Sequence, residues 1–378
     1  MKRVLMTADA VGGVWTYAHT LCRTLDERGI HVTLAVMGPR PSRSQMATFV
    51  PLRNVEVLAG DFALEWMDDP WKEILRAGEW LLSLEAQVTP DVVHLNGYAH
   101  AALPFHAPTL VVAHSCVASR WRAVHGIDPP PRFAAYRAAV QNGLAMASAV
   151  VSPSRFMQDA IATHYGRRSR STVIPHGLYG AGVAPGLKQN IVLSAGHLWD
   201  QAKNLTAVDA VAPSLPWAVR IAGSSVDPTG RVHMPDHART LGVLSARMLA
   251  REMASASIFA LPARYEPFGL TVLEAALSGC ALVVGDIPSL RELWDGAATF
   301  VPPDDHDALR EALLRLIDDG EARAHAMALA RERARTYSGE RMTAAYVDVY
   351  RRLSDGASAA SQRATHRALA DDAPTLRY

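Results

Sequence analysis

Two carboxylates, Glu266 and Glu274, stand either side of the run Pro267-Phe268-Gly269-Leu270-Thr271. The apolar stretch 258–261 reads as a short buried strand, 262–269 as a loop, and 270–277 as the first turns of a helix. Amides at a helix start lack intrahelical acceptors, and the helix dipole favours anions there. The N–H groups of Gly269, Leu270 and Thr271 are therefore expected to face phosphate oxygens, with Phe268 beside them. Glu274, about one turn further in, suits a carboxylate that accepts hydrogen bonds from the vicinal hydroxyls of a ribose. Glu266, on the other side of the phosphate position, lies nearer a transferred sugar. Two glutamates alone would read as solvated helix formers; their place between strand, loop and helix points to a nucleotide diphosphate.

The elements that must hold this loop repeat along the chain. Arg3 to Thr7 reads as a strand, Gly12-Gly13 as a turn, Val14 to Arg28 as a helix and Val32 to Val36 as a second strand, a unit that demands a parallel crossover. Further strands follow at 55–58, 92–95, 110–113, 149–152 and 173–174, separated by helical stretches at 66–84, 131–147 and 154–164. The Gly- and Pro-rich segment 175–190 breaks the pattern and reads as a linker. The alternation then restarts, with strands at 191–195, 218–222, 258–261, 281–284 and 298–301, and helices from Lys203, at 245–254, 270–277, 289–293, 305–318 and 321–337. The fold class is α/β: two Rossmann-like, doubly wound domains, residues 1–180 and 181–340, whose strand ends face across a cleft. Residues 341–353 carry apolar and aromatic residues at helical spacing, an amphipathic helix; the stretch from Ser354 reads as a short surface helix and a tail.

Composition limits the partners. The chain has 378 residues, 49% of them hydrophobic, enough for two ordinary cores. Lys plus Arg number 38 against 37 Asp plus Glu, so no net field recruits a nucleic acid. Cys22, Cys116 and Cys280 lack metal-ligand spacing and read as buried reduced thiols, which favours the cytoplasm. No window is long and apolar enough for a transmembrane helix. Trp, Arg and Tyr residues between Ser119 and Arg137 form either an ordinary helix or a wall touching an acceptor or a membrane surface.

Gly12-Gly13 directly after the first strand lets a ligand approach the backbone, with the helix from Val14 aimed at the same place. The spacing is not the G-x-G-x-x-G of a dinucleotide enzyme. Taken with Glu266 to Glu274, it resembles the signature of the retaining glycosyltransferases of family 4, which have the GT-B fold. That resemblance implies that residues 341–378 cross back onto the first domain, and that a nucleotide-diphosphate sugar is the donor and a hydroxyl-bearing acceptor the second substrate. It places Gly12 and Gly13 near donor phosphate or acceptor, and Lys203 against the leaving diphosphate. His197 stands where the family has an arginine, a weaker and titratable group. His114, at a strand end, matches a histidine that orients and polarises the donor sugar. Asn96 and Tyr17 are acceptor-side candidates, and Glu292 resembles a recurring family glutamate. The implied mechanism is retaining and needs no Asp-x-Asp metal clamp and no other cofactor. Rival readings are a GT-B epimerase or phosphorylase, and a nucleotide-sugar-binding protein that has lost turnover.

Overall fold

The structure is a computed structural model that describes residues 1–166, 170–179 and 186–371, with side chains to 356. Of the linker expected at 175–190, residues 180–185 lie outside the described residues, as do 372–378 of the tail.

The first sheet holds seven parallel strands: β1 (Arg3–Asp9), β2 (His31–Met37), β3 (Val55–Ala59), β4 (Val92–Leu95), β5 (Thr109–Val112), β6 (Ala149–Ser152) and β7 (Ser171–Val173), in the order β3-β2-β1-β4-β5-β6-β7. The helices of this lobe are α1 (Gly13–Asp26), α2 (Arg43–Ala47), α3 (Trp71–Val88), α4 (Val117–His125), α5 (Ala134–Met146) and α6 (Arg155–Tyr165). Its strands are near-continuous apolar runs because helices cover both faces. One core joins α1 to the sheet; the other, on the opposite face, takes Leu81 of α3, Val140 of α5 and Ile161 of α6.

The second sheet holds six parallel strands: β8 (Gln189–Ala195), β9 (Ala218–Ala222), β10 (Arg239–Gly242), β11 (Ala256–Leu261), β12 (Ala281–Gly285) and β13 (Thr299–Val301), in the order β10-β9-β8-β11-β12-β13. Its helices are α7 (Leu205–Val211), α8 (Ala246–Ser255), α9 (Leu270–Leu277), α10 (Pro288–Trp294), α11 (His306–Asp318) and α12 (Gly320–Ala334). Each sheet reverses its strand order once, between β1 and β4 and between β8 and β11, and it is at the carboxyl ends of such strands that α/β sheets open a crevice for ligands.

The last helix, α13 (Gly339–Asp371), is one element of 33 residues, so the separate short helix expected after Ser354 does not exist. It returns to the first lobe, where Met342, Tyr346, Val349 and Tyr350 are buried in the core beside α1. Strand β10 was not expected, because Arg239-Thr-Leu-Gly242 has no apolar run and pairs only at the sheet edge. The helix expected from Lys203 starts instead at Leu205. Asn204 takes a left-handed φ of 54° and donates its side-chain amide to the carbonyls of Pro262 (2.9 Å) and Pro303 (2.6 Å).

Candidate active site

The loop between β11 and α9 is built around Glu266. One of its carboxylate oxygens pairs with Lys203 Nζ, and the other accepts the Gly269 N–H at 3.0 Å. This corrects one expectation: the Gly269 amide is not free for a phosphate, because the nearer carboxylate has already taken it. Gly269 must bend back at φ 85° to make that contact, a conformation that costs glycine little. It also caps α9 without a side chain, which leaves the first-turn amides of Leu270 and Thr271 uncapped. Lys203 is a quarter exposed and Glu266 mostly buried. Burial opposes the charge on Lys203, but the Glu266 carboxylate, helped by Asp200, more than offsets it and raises the ammonium pKa. A cation held this firmly ionised can face a second anion.

Glu274 lies half-buried on α9. Its carboxyl has no hydrogen-bond partner among the described residues, and burial pushes its pKa up to about 7. An acid left in this condition gains from any ligand that donates hydrogen bonds to it. Phe268, expected to touch the donor, is instead packed inward: its ring lies 5.0 Å from His176 and 5.5 Å from Tyr337, so only its backbone remains available.

Gly12 and Gly13 sit opposite. Gly12 turns the chain at φ 68°, and a Cβ on Gly13 would come within 3.3 Å of the Leu270 side chain. The starts of α1 and α9 thus meet across the cleft, and Leu270 packs against the cores of both lobes.

His197 is stacked on Trp199, with ring centres 4.9 Å apart, and its Nδ1 is buried with no partner. Burial lowers its pKa, and Lys203 adds to this against the opposing pull of Asp200. A neutral imidazole therefore stands where the resemblance implies a charged arginine.

The remaining expected residues form a buried chain of rings. Asn96 donates its amide to the Thr7 carbonyl at 2.6 Å, so its Oδ1 is an acceptor; it receives His114 Nε2 at 2.8 Å and His94 Nε2 at 3.2 Å. His114 Nδ1 must then be the bare nitrogen, and His176 Nε2 donates to it at 3.1 Å. That leaves His176 Nδ1 as a buried atom without a partner. Both ring nitrogens of His114 are engaged, so its ring has no proton to offer a substrate. Burial lowers His94 and His176 to about 3, and His114 falls well below the usual range.

Tyr17, expected on the acceptor side, is wholly buried beneath this chain. Its ring packs on His114 at 4.7 Å and His176 at 4.6 Å, and its hydroxyl meets His94 Nε2 at 3.2 Å, so no substrate can reach it. Asn96 is likewise committed at both ends of its amide. Tyr17's type suggested recognition, and its place in the core beside α1 gives it a packing role; Asn96 is only partly buried and braces His114 and His94.

Several contacts that join the lobes carried no sequence signal, although the sequence does single out Glu292 itself. Ser154 donates to the Pro267 carbonyl at 2.8 Å, and Tyr265 meets the hydroxyls of Ser119 at 2.8 Å and Ser115 at 3.1 Å. Arg120 pairs with Asp200 at 2.6 Å. Glu292 accepts the N–H groups of Arg155 and Phe156 at the start of α6, at 2.7 and 2.9 Å.

Two facing Rossmann-like lobes with a helix start, a lysine and carboxylates at their junction make up the GT-B architecture. The sequence profile described as Glycosyltransferase Family 4 matches residues 11–178, and that described as Glycosyl transferases group 1 matches residues 189–319. Between them the two profiles take in most of the chain, which belongs to glycosyltransferase family 4.

Similarity to curated relatives is partial. The chain is 35% identical over 121 residues to the phosphatidyl-myo-inositol mannosyltransferase of Mycolicibacterium smegmatis, 31% of each chain. It is 32% identical over 115 residues to O-antigen chain mannosyltransferase B of Escherichia coli, 30% of each. The match thus spans about a third of the length of these two proteins. A D-inositol 3-phosphate glycosyltransferase of Geodermatophilus obscurus is 26% identical over 94% of this chain and 88% of its own. Among solved structures, sucrose-phosphate synthase of Thermosynechococcus elongatus superposes with a TM-score of 0.76 at 19% identity, covering 93% of this chain and 99% of that one. Anabaena HepE, solved with UDP and glucose, gives 0.70 at 15% identity, covering 92% and 99%. No helix among the described residues is long and apolar enough to cross a membrane.

Proposed function

We propose that this chain transfers a hexosyl unit from a nucleotide-diphosphate sugar to an acceptor hydroxyl, with retention of configuration and without a metal ion. The observation that carries this reading is the uncapped start of α9 at Leu270 and Thr271, with firmly ionised Lys203 on one side and the unpaired carboxyl of Glu274 on the other. Glu274 takes the ribose diol, and the amides and Lys203 take the diphosphate. As the bond from the anomeric carbon to the diphosphate oxygen breaks, the electron pair leaves with the diphosphate, and preorganised donors stabilise that growing charge. The acceptor oxygen attacks the same face and its proton passes to the leaving diphosphate. Mannosyltransferases among the relatives, and the glucose found with HepE, support a hexose as the transferred group.

The test is to incubate the purified protein with UDP-, GDP- and ADP-sugars and an acceptor panel, with and without EDTA, and to assign the product's anomeric configuration by NMR. An α product from an α donor at undiminished rate in EDTA is expected. An inverted product or loss of turnover in EDTA overturns the corresponding part of the reading, and an isomerised sugar nucleotide formed without acceptor overturns it whole.

A further inference from the structure

We propose that a half-open cavity at the carboxyl end of β1, β2 and β4 is the acceptor site, and that it takes an uncharged, hydroxyl-bearing arm and excludes a phosphorylated one. The inference rests on the transferase reading above and names the acceptor class for it.

The cavity measures about 50 Å³. Since about 10–15 Å³ of such space holds one water molecule, this is room for a hydroxyl-bearing arm a few heavy atoms long. It lies at the β1–β4 reversal, the place where the first sheet opens a crevice. Asn96 forms part of its wall and is hydrogen-bonded to His114, which ties the cavity to the reacting end of the cleft.

Its polarity decides what enters. Asp9 ends β1 with Oδ1 accepting the Val11 N–H at 2.8 Å, while Oδ2 has no partner among the described residues. Glu65 accepts the N–H groups of Tyr98 at 3.0 Å and Ala99 at 2.8 Å. Neither lysine nor arginine lines the cavity. His100 does, but its Nε2 is engaged by the Ile74 carbonyl at 3.0 Å and burial lowers its pKa, so it supplies no positive charge near neutral pH. Burial also pushes the Asp9 carboxyl up to about 6, so it is ionised at neutral pH but poorly stabilised.

The open Asp9 oxygen accepts a hydroxyl, and a phosphate brought beside the Asp9 and Glu65 carboxyls meets like charge in a poorly solvated place. The apolar wall, Met37, Leu64 and the indole of Trp66, suits the C–H face of the same arm. Trp66 is 46% exposed and stands at the rim.

Paired probes test this: glucose against glucose 6-phosphate, and myo-inositol against myo-inositol 1-phosphate, each with UDP-glucose and GDP-mannose, read as nucleotide release. The uncharged member is expected to show at least about tenfold higher kcat/KM. Asp9→Asn should raise its KM, and Asp9→Lys should shift preference toward the phosphorylated member, with the thermal shift caused by UDP as the control for folding. Preference of the unaltered protein for a phosphorylated probe, or an unchanged ratio in Asp9→Lys, overturns the inference. If no donor is consumed with any probe, the transferase reading fails instead. Equilibrium dialysis of labelled glucose and glucose 6-phosphate in the presence of UDP then decides the acceptor class, and anything but tighter binding of glucose counts against it.

Discussion

Lys203 and Glu266 form an ion pair between the end of the β8–α7 loop and the middle of the β11–α9 loop, and the same glutamate holds the Gly269 amide. On the function proposed above, the lysine serves the fold and the leaving diphosphate with one charge. Removing one partner of a buried pair strands the other, at a cost of about 3–5 kcal/mol when burial is complete. With Lys203 a quarter exposed, about 2 kcal/mol is expected for Lys203→Ala. Turnover should fall on the order of a hundredfold. The double variant Lys203→Ala/Glu266→Gln should regain most of the lost melting temperature and none of the turnover. Equal recovery of both would show that the lysine acts only through folding.

Glu274 makes the opposite statement. Its folded pKa of about 7 exceeds the ordinary 4.5, so the folded state holds a proton that the unfolded chain releases. Stability from this residue is greatest at low pH and declines as pH rises from about 4.5 through about 7. Glu274→Gln should therefore raise the unfolding free energy at pH 8 by on the order of 1–2 kcal/mol after allowance for partial solvent screening, and change little at pH 4. The same substitution should weaken donor binding. In the unaltered protein donor affinity should strengthen as pH rises through 7, because ribose hydroxyls donate to the ionised carboxylate. Calorimetry with UDP-glucose and GDP-mannose at pH 6 and 8 checks this, and a Glu274→Gln protein that is less stable at pH 8 would contradict the burial argument.

The fold was legible because parallel strands covered on both faces leave apolar runs, and Pro262 and Gly269 punctuate the chain on either side of the loop they bound. The start of helix α9 was read correctly at Leu270, and what read as its first turns, to Leu277, is the whole helix. What the sequence concealed depends on pairing between distant positions. Nothing near Tyr17 shows that it will lie under His114 and His176, and nothing near Glu292 shows that it will reach the start of α6. His176 sits in a segment whose glycines and prolines announce only a linker. Phe268 looked like a contact because its neighbours did, and the packing that claims its ring comes from Tyr337, far along the chain.

The histidine chain predicts acid sensitivity. His94, His114 and His176 are neutral when folded, with values lowered by burial, and each would take up a proton near 6.5 when unfolded. Their contribution to stability is present above about 6.5 and is lost as pH falls. Asp9 and Glu274, with raised values, act in the other direction. Near pH 5 these three protons, joined by those of His19, His100, His164 and His197, whose values burial also lowers, outnumber the protons that Asp9, Glu65 and Glu274 release, which leaves a net uptake on the order of one, or about 1.4 kcal/mol per pH unit. Unfolding free energy should fall by about that amount between pH 5.5 and 4.5, and the slope should steepen in Glu274→Gln, which loses one opposing acid. A flat or rising stability in this interval would mean that the histidines are not neutral in the folded protein.

Glu292 offers a handle on the cleft itself. It belongs to α10 of the second lobe, yet its carboxylate accepts the Arg155 and Phe156 amides at the start of α6 in the first. Ser154, one residue earlier, donates to the Pro267 carbonyl inside the loop that carries Glu266. A helix start thus acts as a clasp between lobes, and its loss has two separable effects. Glu292→Ala should cost about 1 kcal/mol, the usual scale for a lost N-terminal cap, because solvent can replace the carboxylate once the lobes part. It should also let the lobes separate more often, which raises the radius of gyration in X-ray scattering without nucleotide. Donor KM should rise more than kcat falls, since the closed arrangement is still reached when donor occupies it and binding free energy is spent on closing. Glu292→Gln, which keeps one acceptor oxygen but loses the charge that favours the helix start, should fall between. An unchanged scattering profile in Glu292→Ala, together with an unchanged donor KM, would mean that Gly13, Leu270 and the Arg120–Asp200 pair hold the lobes without it.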